Sequence, residues 1–466
     1  MPSLPRNRAT AKSSMFLVSL FEKCSTMRDL KLIHARIITK GLEQKLFHAT
    51  KLISFCALSD GGDMDYAVSI FRRIRKPDGF LWNAMIRGFT KSREHLSAFE
   101  HHKEMQDRGF SPDNFTFSFL LKLCGQLGLI LPGKQLHCNV LKCGLESHVF
   151  VRNTLIHMYG MFRDIGTARA LFDEMAEPSL VAWNTVLDCY VYCRKFQEAL
   201  DLFSVMLRGG MEPDEATLVV VLSACSELGT STFGRWVHES MIRHTDLFGT
   251  ISVSNALINM YATCGAVKEA LATFNEMERR NIITWNTMIV GLAKHGHADE
   301  VRSLFSRMLE DRVQKPDHVT FLGVLSACSY CGRVQDGIEY FRLMREEFGI
   351  EPTMKHYGCM VDMIGRAGMV EEAYRLIQSM PIKCNAAGWR ALLGACRLHG
   401  KVELGEVVRK HLEALEPDHS GDYALLSSMY ASSGQWDEVL EVRRLMHGRG
   451  IEKPEPGNSM IWLHPT

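Results

Sequence analysis

Long hydrophobic runs, an excess of either charge and paired cysteine clusters are all missing from this chain of 466 residues. A membrane span needs roughly 18 consecutive apolar residues, and the best candidates, such as TLVVVL from Thr217, stop after a few. No membrane partner is expected. Lysine and arginine (54) nearly balance aspartate and glutamate (53), a net charge of +1. No general field therefore advertises a polyanionic partner, and any nucleic-acid binding must come from specific contacts. Proline is scarce at 14 residues, while 46% hydrophobic and 23% charged residues suit a folded, helix-rich chain. The 14 cysteines lie singly in apolar segments, as in the two VLSAC strings ending at Cys225 and Cys328, which fits buried thiols in a reducing compartment. The lone C-x-x-C, Cys328 to Cys331, lacks the second pair of a structural zinc site. With no phosphate loop, nucleophile arrangement or metal cluster, the sequence predicts neither an enzyme nor a cofactor.

What is present is repetition. LWNAMIRGF from Leu81, AWNTVLDCY from Ala182 and TWNTMIVGL from Thr284 align at Asn83, Asn184 and Asn286, and NTLIHMYG from Asn153 aligns with NALINMYA from Asn255. The superperiod is about 102 residues. Within it lie three shorter repeats, with P-D endings at Asp113, Asp214 and Asp317.

The repeat from Leu180 to Asp214 has the pattern of a helical hairpin. Val181, Trp183, Val186, Leu187 and Tyr190 recur at helical spacing, Arg194 and Lys195 break the pattern, and Ala199, Leu200, Leu202, Phe203 and Met206 form a second stripe before Gly209, Gly210 and Pro213. One such hairpin cannot bury both stripes, so neighbours must stack. The predicted fold is all-α, a right-handed superhelical solenoid of helix-turn-helix repeats. Phe172 and Met175, Phe203 and Met206, Phe274 and Met277, and Phe305 and Met308 read as packing knobs.

The alternation of long, long and short repeats of 31 to 36 residues, the W-N-T start and the P-D end resemble the PLS class of plant pentatricopeptide repeat proteins. A tetratricopeptide array fits worse, since it expects a W-x-x-L-G-x-x-Y string that follows none of the seven tryptophans. The resemblance puts about eleven repeats in residues 15–385, starting near Met15, Leu46, Gly79, Asn114, Val149, Leu180, Glu215, Ile251, Ile282, His318 and Met354. It implies single-stranded RNA as partner: the fifth and last residues of a repeat choose a base, and an apolar second residue wedges between bases. A short polar side chain near a helix start can present a fixed donor and acceptor pattern to an unstacked base. The same residue types also cap helices and form turns.

Carried over, the pairs are Thr50 with Asp78, Asn83 with Asp113, Asn153 with Ser179, Asn184 with Asp214, Asn255 with Asn281, and Asn286 with Asp317. They imply G, U, C (or A), U, C or U, and U, hence 5′-G-U-N-C-U-N-Y-U-3′. The intervening long repeats carry Ser118, Val219 and Leu322 at the fifth place and receive no base, and Gly358 with Asn385 departs from the useful pattern.

From Gly388 to Trp462 the chain resembles the E-type extension of RNA-editing relatives, two degenerate hairpins assigned to residues 386–463, although Asn458 and Met460 replace the usual Cys and Trp. A DYW cytidine deaminase would need H-x-E and a later P-C-x-x-C. The strings at His102 and His411 match the first by chance, and the second occurs nowhere. The expectation is an RNA-editing site-recognition factor that takes a DYW-type deaminase or other editing cofactor in trans, without catalysis of its own. Residues 1–14, basic and free of acid, have the bias of a transit segment to mitochondrion or chloroplast, the mitochondrion being preferred. A splicing, stability or translation factor and a peptide-binding scaffold are the alternatives.

Overall fold

The computed structural model describes residues 19–242, 249–311 and 314–451. Every described element is helical. The chain divides into two compact halves, one ending at Ala224 and one beginning at Cys225. In the first half, hairpins form from Leu46–Leu58 and Met64–Phe71, Gly79–Lys91 and Ser97–Asp107, Asn114–Leu127 and Ile130–Lys142, Val149–Met161 and Ile165–Asp173, and Leu180–Tyr192 and Phe196–Arg208. The second half continues with Ile251–Thr263 and Val267–Glu276, Ile282–Lys294 and Ala298–Asp311, His318–Cys331 and Val334–Glu346, and Met354–Arg366 and Val370–Ser379. Two further hairpins follow, Ala386–Leu398 with Val402–Leu415 and Ser420–Ser432 with Trp436–Gly448. Within each half the first helix of a hairpin packs on its own second helix and on the first helix of the next hairpin.

Ten of the eleven repeat starts expected from sequence coincide with the first residue of a helix; Met15 lies outside the described residues. The reason is local. The residue closing one repeat caps the next: Asp78, Asp113, Ser179, Asn281, Asp317 and Asn385 each accept a hydrogen bond from a backbone N–H in the first turn. The first helices of two long repeats stop at Gly128 and Gly332, whose φ of 66° and 68° suits a residue without a Cβ.

Packing repeats with the sequence. Phe71 meets Trp82 edge-on at 4.6 Å, Phe172 meets Trp183 at 4.7 Å and Phe274 meets Trp285 at 5.0 Å. The expected knobs are buried, apart from the half-buried Met175. Glu215–Leu228 and Ser231–Val237 form one more hairpin, and the fourth residue of a second helix is glycine at Gly133, Gly234, Gly337 and Gly405, against the tenth residue of the following first helix, Met158, Met260, Met363 and Met429. A Cβ at these glycines would sit 2.5–2.8 Å from the methionine sulfur, so each marks a close helix approach. The last such pair ties the C-terminal hairpins to the same repeat.

One expectation needs correction. Val181, assigned to the core stripe on spacing, is 63% exposed. As the second residue of its helix it stands on the first turn, on the open face.

Candidate nucleic-acid interface

Three long repeats build the same side-chain cluster. Asn83 Nδ2 donates to both carboxylate oxygens of Asp113, at 3.0 and 2.9 Å, and Thr116 Oγ1 donates to Asn83 Oδ1 at 2.6 Å. Asn184 Nδ2 donates to Asp214 at 3.0 Å and receives the Thr217 hydroxyl on Oδ1 at 2.5 Å. Asn286 donates to Asp317 at 3.0 Å and receives Thr320 at 2.6 Å. A carboxylate only accepts, so the amide nitrogen must face it and the amide oxygen must face the hydroxyl. The orientation of each asparagine is thereby locked. Asn184 and Asn286 each give one N–H to their aspartate and keep the second without a protein partner among the described residues, whereas the Asn83 nitrogen bonds both oxygens of Asp113.

The threonines escaped the sequence reading. Each is the third residue of its helix, and its backbone N–H donates to the preceding aspartate: Thr116 to Asp113 and Thr320 to Asp317 at 2.9 Å, Thr217 to Asp214 at 2.8 Å. The D-x-x-T spacing is a capping signal, and it was available in the sequence. Capping and pairing are therefore roles of one side chain, not competing interpretations of it. Burial on its own would raise the Asp214 and Asp317 carboxyls, but the bonds from threonine and asparagine outweigh it and hold both below the ordinary carboxylate range.

The other three pairs are looser. Among the described residues no hydrogen bond links Thr50 to Asp78, Asn153 to Ser179 or Asn255 to Asn281, and the side-chain oxygens of Asn153 and Asn255 are buried without a partner. Ser118, the fifth residue of a long repeat, turns its hydroxyl onto its own helix at Asn114 O, 2.7 Å away. Beside the pairs stand the second residues. Phe47, Phe80, Phe115, Phe150, Val181 and Ile283 are 49% or more exposed, with Phe150 at 72%. The second and fifth residues share a helix face, so exposed apolar side chains alternate with the polar pairs.

In the C-terminal hairpins the same places carry charge. Arg390, the fifth residue of its helix, donates to Asp422 at 2.6 and 3.0 Å and to Glu416 at 2.5 Å. Asp422 is the third residue of the first helix of the next hairpin, Ser420–Ser432, and is buried. The two H-x-E histidines are used in packing: His102 is buried edge-on to Phe117, and His411 stacks on Trp389 at 4.1 Å. The described residues contain no helix long and apolar enough to cross a membrane.

A stack of helical hairpins with a polar pair and an apolar residue in register is the frame of a modular array. Comparison with known proteins identifies which array. The PPR repeat family matches residues 77–126, 178–227 and 280–329, its single-repeat form matches 150–177, 252–282, 319–347 and 355–383, and the E motif matches 399–462. Similar proteins include pentatricopeptide repeat-containing protein At2g20540 of Arabidopsis thaliana, 36% identical over 96% of this chain and 89% of that one. Another from the same plant, At1g59720, chloroplastic/mitochondrial, is 40% identical over 96% and 72%. The chain belongs to the pentatricopeptide repeat family, in its E subgroup. Among solved structures, pentatricopeptide repeat protein PPR10 in complex with an 18-nt psaJ RNA element matches with a TM-score of 0.74 at 18% identity, over 90% of this chain and 64% of that one. That likeness supports the fold.

Proposed function

We propose that this protein binds single-stranded RNA sequence-specifically in a plant organelle and serves as a site-recognition factor for C-to-U editing. The observation that carries this is the locked amide, built three times at one superperiod. Uracil's edge reads acceptor, donor, acceptor, so a donor and acceptor of fixed hand always find a match on it. Cytosine's edge reads donor, acceptor, acceptor and matches in only one hand. Locked asparagines at 83, 184 and 286 therefore favour U. Asn153 and Asn255 lack that lock, in keeping with C (or A) at the first and C or U at the second. The exposed second residues supply the wedges, since base stacking on apolar and aromatic faces is tolerant of sequence.

The names of similar proteins, chloroplastic and mitochondrial among them, support an organelle, and residues 1–14 are assigned as its transit segment. That segment and the chain beyond Ile451, including PEPGNSMIW, lie outside the described residues. The E-type extension, assigned to 386–463, supports editing over splicing or stabilisation and gives a surface for a deaminase acting in trans. The protein contributes recognition and the partner contributes chemistry.

The test is selection from a randomised RNA pool followed by sequencing of the bound fraction. Enrichment of G-U-N-C-U-N-Y-U is expected, with Asn184→Thr moving the U at its place toward G by about 1 kcal/mol. An unenriched pool would overturn the reading. Because net charge is +1, the salt dependence of binding should be shallow.

A further inference from the structure

The reading place of the last short repeat is a hole. In the long repeats that place holds an asparagine, an aspartate, a threonine and an apolar second residue. Here the fifth residue is Gly358, the closing residue is Asn385, and the next helix supplies Ala387 and Gly388 where others have Phe115 and Thr116. Three side chains are missing together. The result is a cavity of about 430 Å³ reaching from Leu322 to Ala391. That is enough volume for a planar heterocycle.

The lining is suited to a base. A Cβ at Gly358 would have no atom within 4 Å, so the opening is real space and not a helix contact. Gly388, in contrast, is required, because a Cβ there would lie 2.6 Å from Cys384 Sγ. Asn385 Oδ1 takes the Gly388 N–H at 3.0 Å, which leaves its amide nitrogen as a donor without a protein partner among the described residues. Tyr330, 59% exposed, stands at the wall with its ring available for stacking. Lys355 replaces the apolar second residue and is exposed, placing an ammonium beside the opening where a phosphate would pass.

We propose that this socket takes up one base of the bound RNA strand, inserted into the cavity instead of read at its edge. The inference rests on the RNA-binding function proposed above. With Lys355 and Ala387 in the second places, no apolar wedge separates this base from its neighbours, and the strand can turn a base inward. The inserted nucleotide is the second one 3′ of the U assigned to Asn286, and Asn385 donates to an acceptor on its edge.

The experiment measures binding of the full chain to the selected RNA and to two versions carrying one abasic ribonucleotide, either in the socket position or opposite Asn184. Wild type should lose about fivefold or more in affinity with either. Gly358→Leu fills the cavity and replaces glycine in a helix interior, so it folds at least as well, which a thermal melt checks. It should lose sensitivity to the socket lesion and keep sensitivity to the lesion opposite Asn184. Loss opposite Asn184 alone in wild type would overturn the socket and leave the reading of bases standing. No loss at either place would overturn both. Free nucleoside monophosphates are titrated in parallel without RNA, and saturable binding that Gly358→Leu abolishes would place the ligand's source outside the strand and overturn the assignment.

Discussion

The proposed reading places of the long repeats and the corresponding places of the C-terminal hairpins use one backbone for opposite ends. At Asn184 a neutral amide is held from two sides and keeps two valences free. At Arg390, following Trp389 as Asn184 follows Trp183, a guanidinium is consumed by Asp422 and Glu416. The first arrangement is rigid and unsatisfied, the state in which a polar group discriminates among ligands. The second is satisfied within the protein, and opening it to a base would strand Asp422 in a buried site. The hairpins from Ala386 onward thus keep the repeat's packing, seen in Gly405 against Met429, with an ion pair where the long repeats have the locked amide.

The largest expected effect comes from breaking the charged version. Arg390→Ala leaves Asp422, 5% exposed, with only the His419 ring nitrogen 3.1 Å away, and should cost about 3 kcal/mol in stability. Chemical unfolding measures it. The double variant with Asp422→Ala should recover most of that loss, and base preference opposite Asn184 should not move in either. Equal destabilisation in single and double variants would remove the ion pair from the account.

The neutral version should break more gently. Thr217→Val deletes the hydroxyl that faces Asn184 Oδ1 and should cost about 1–2 kcal/mol. It should also relax the base at that place from U toward either pyrimidine, whereas Thr217→Ser keeps the hydroxyl and the preference. A Val variant that loses stability but still prefers U would assign the lock to Asp214 alone.

Much of this was legible in sequence because the signals are local. Helix starts at Gly79, Asn114 and Ile282 follow from a capping residue and an apolar period, and of the six pairs that the family resemblance implies, Asn83 with Asp113, Asn184 with Asp214 and Asn286 with Asp317 are bonded to each other. The threonine lock was written as D-x-x-T, but its partner lies in the previous repeat, 33 residues away for Thr116, and spacing within one helix does not reveal that. Val181 was misplaced because helical spacing counts a first-turn residue as part of a stripe that has not yet reached the core. The socket at Gly358 was visible only as a departure from pattern, since its volume depends on Ala387 and Gly388 of the next hairpin.

Acid offers a finer probe of the neutral version. Asp214 and Asp317 sit below the usual range in the folded protein, so the stability they add is fully present above the unfolded value of about 3.9 and is lost as pH falls through their folded values. Discrimination opposite Asn184 and Asn286 should stay level from about pH 5 to 8 and fail only in stronger acid. A midpoint near neutrality would assign the reading to a histidine instead.

The smallest effect compares the two halves of the chain at one turn. Arg163 and Arg194 hold φ of 60° and 59°, and the residues one superperiod later, Gly265 and Gly296, hold 76° and 75°. The backbone geometry is shared: Arg194 N donates to Val191 O at 3.0 Å and Gly296 N to Ala293 O at 3.1 Å. A side chain in this left-handed conformation is strained by about 1 kcal/mol or more, while glycine loses more entropy on folding by a somewhat smaller amount. Arg194→Gly should therefore stabilise the first half by on the order of 0.5 kcal/mol, measured by unfolding. Arg194 is exposed, so little packing is lost to obscure the difference. Destabilisation would mean that the arginine makes an interaction worth more than its strain, and a basic group beside the reading helices would then merit a phosphate-binding test.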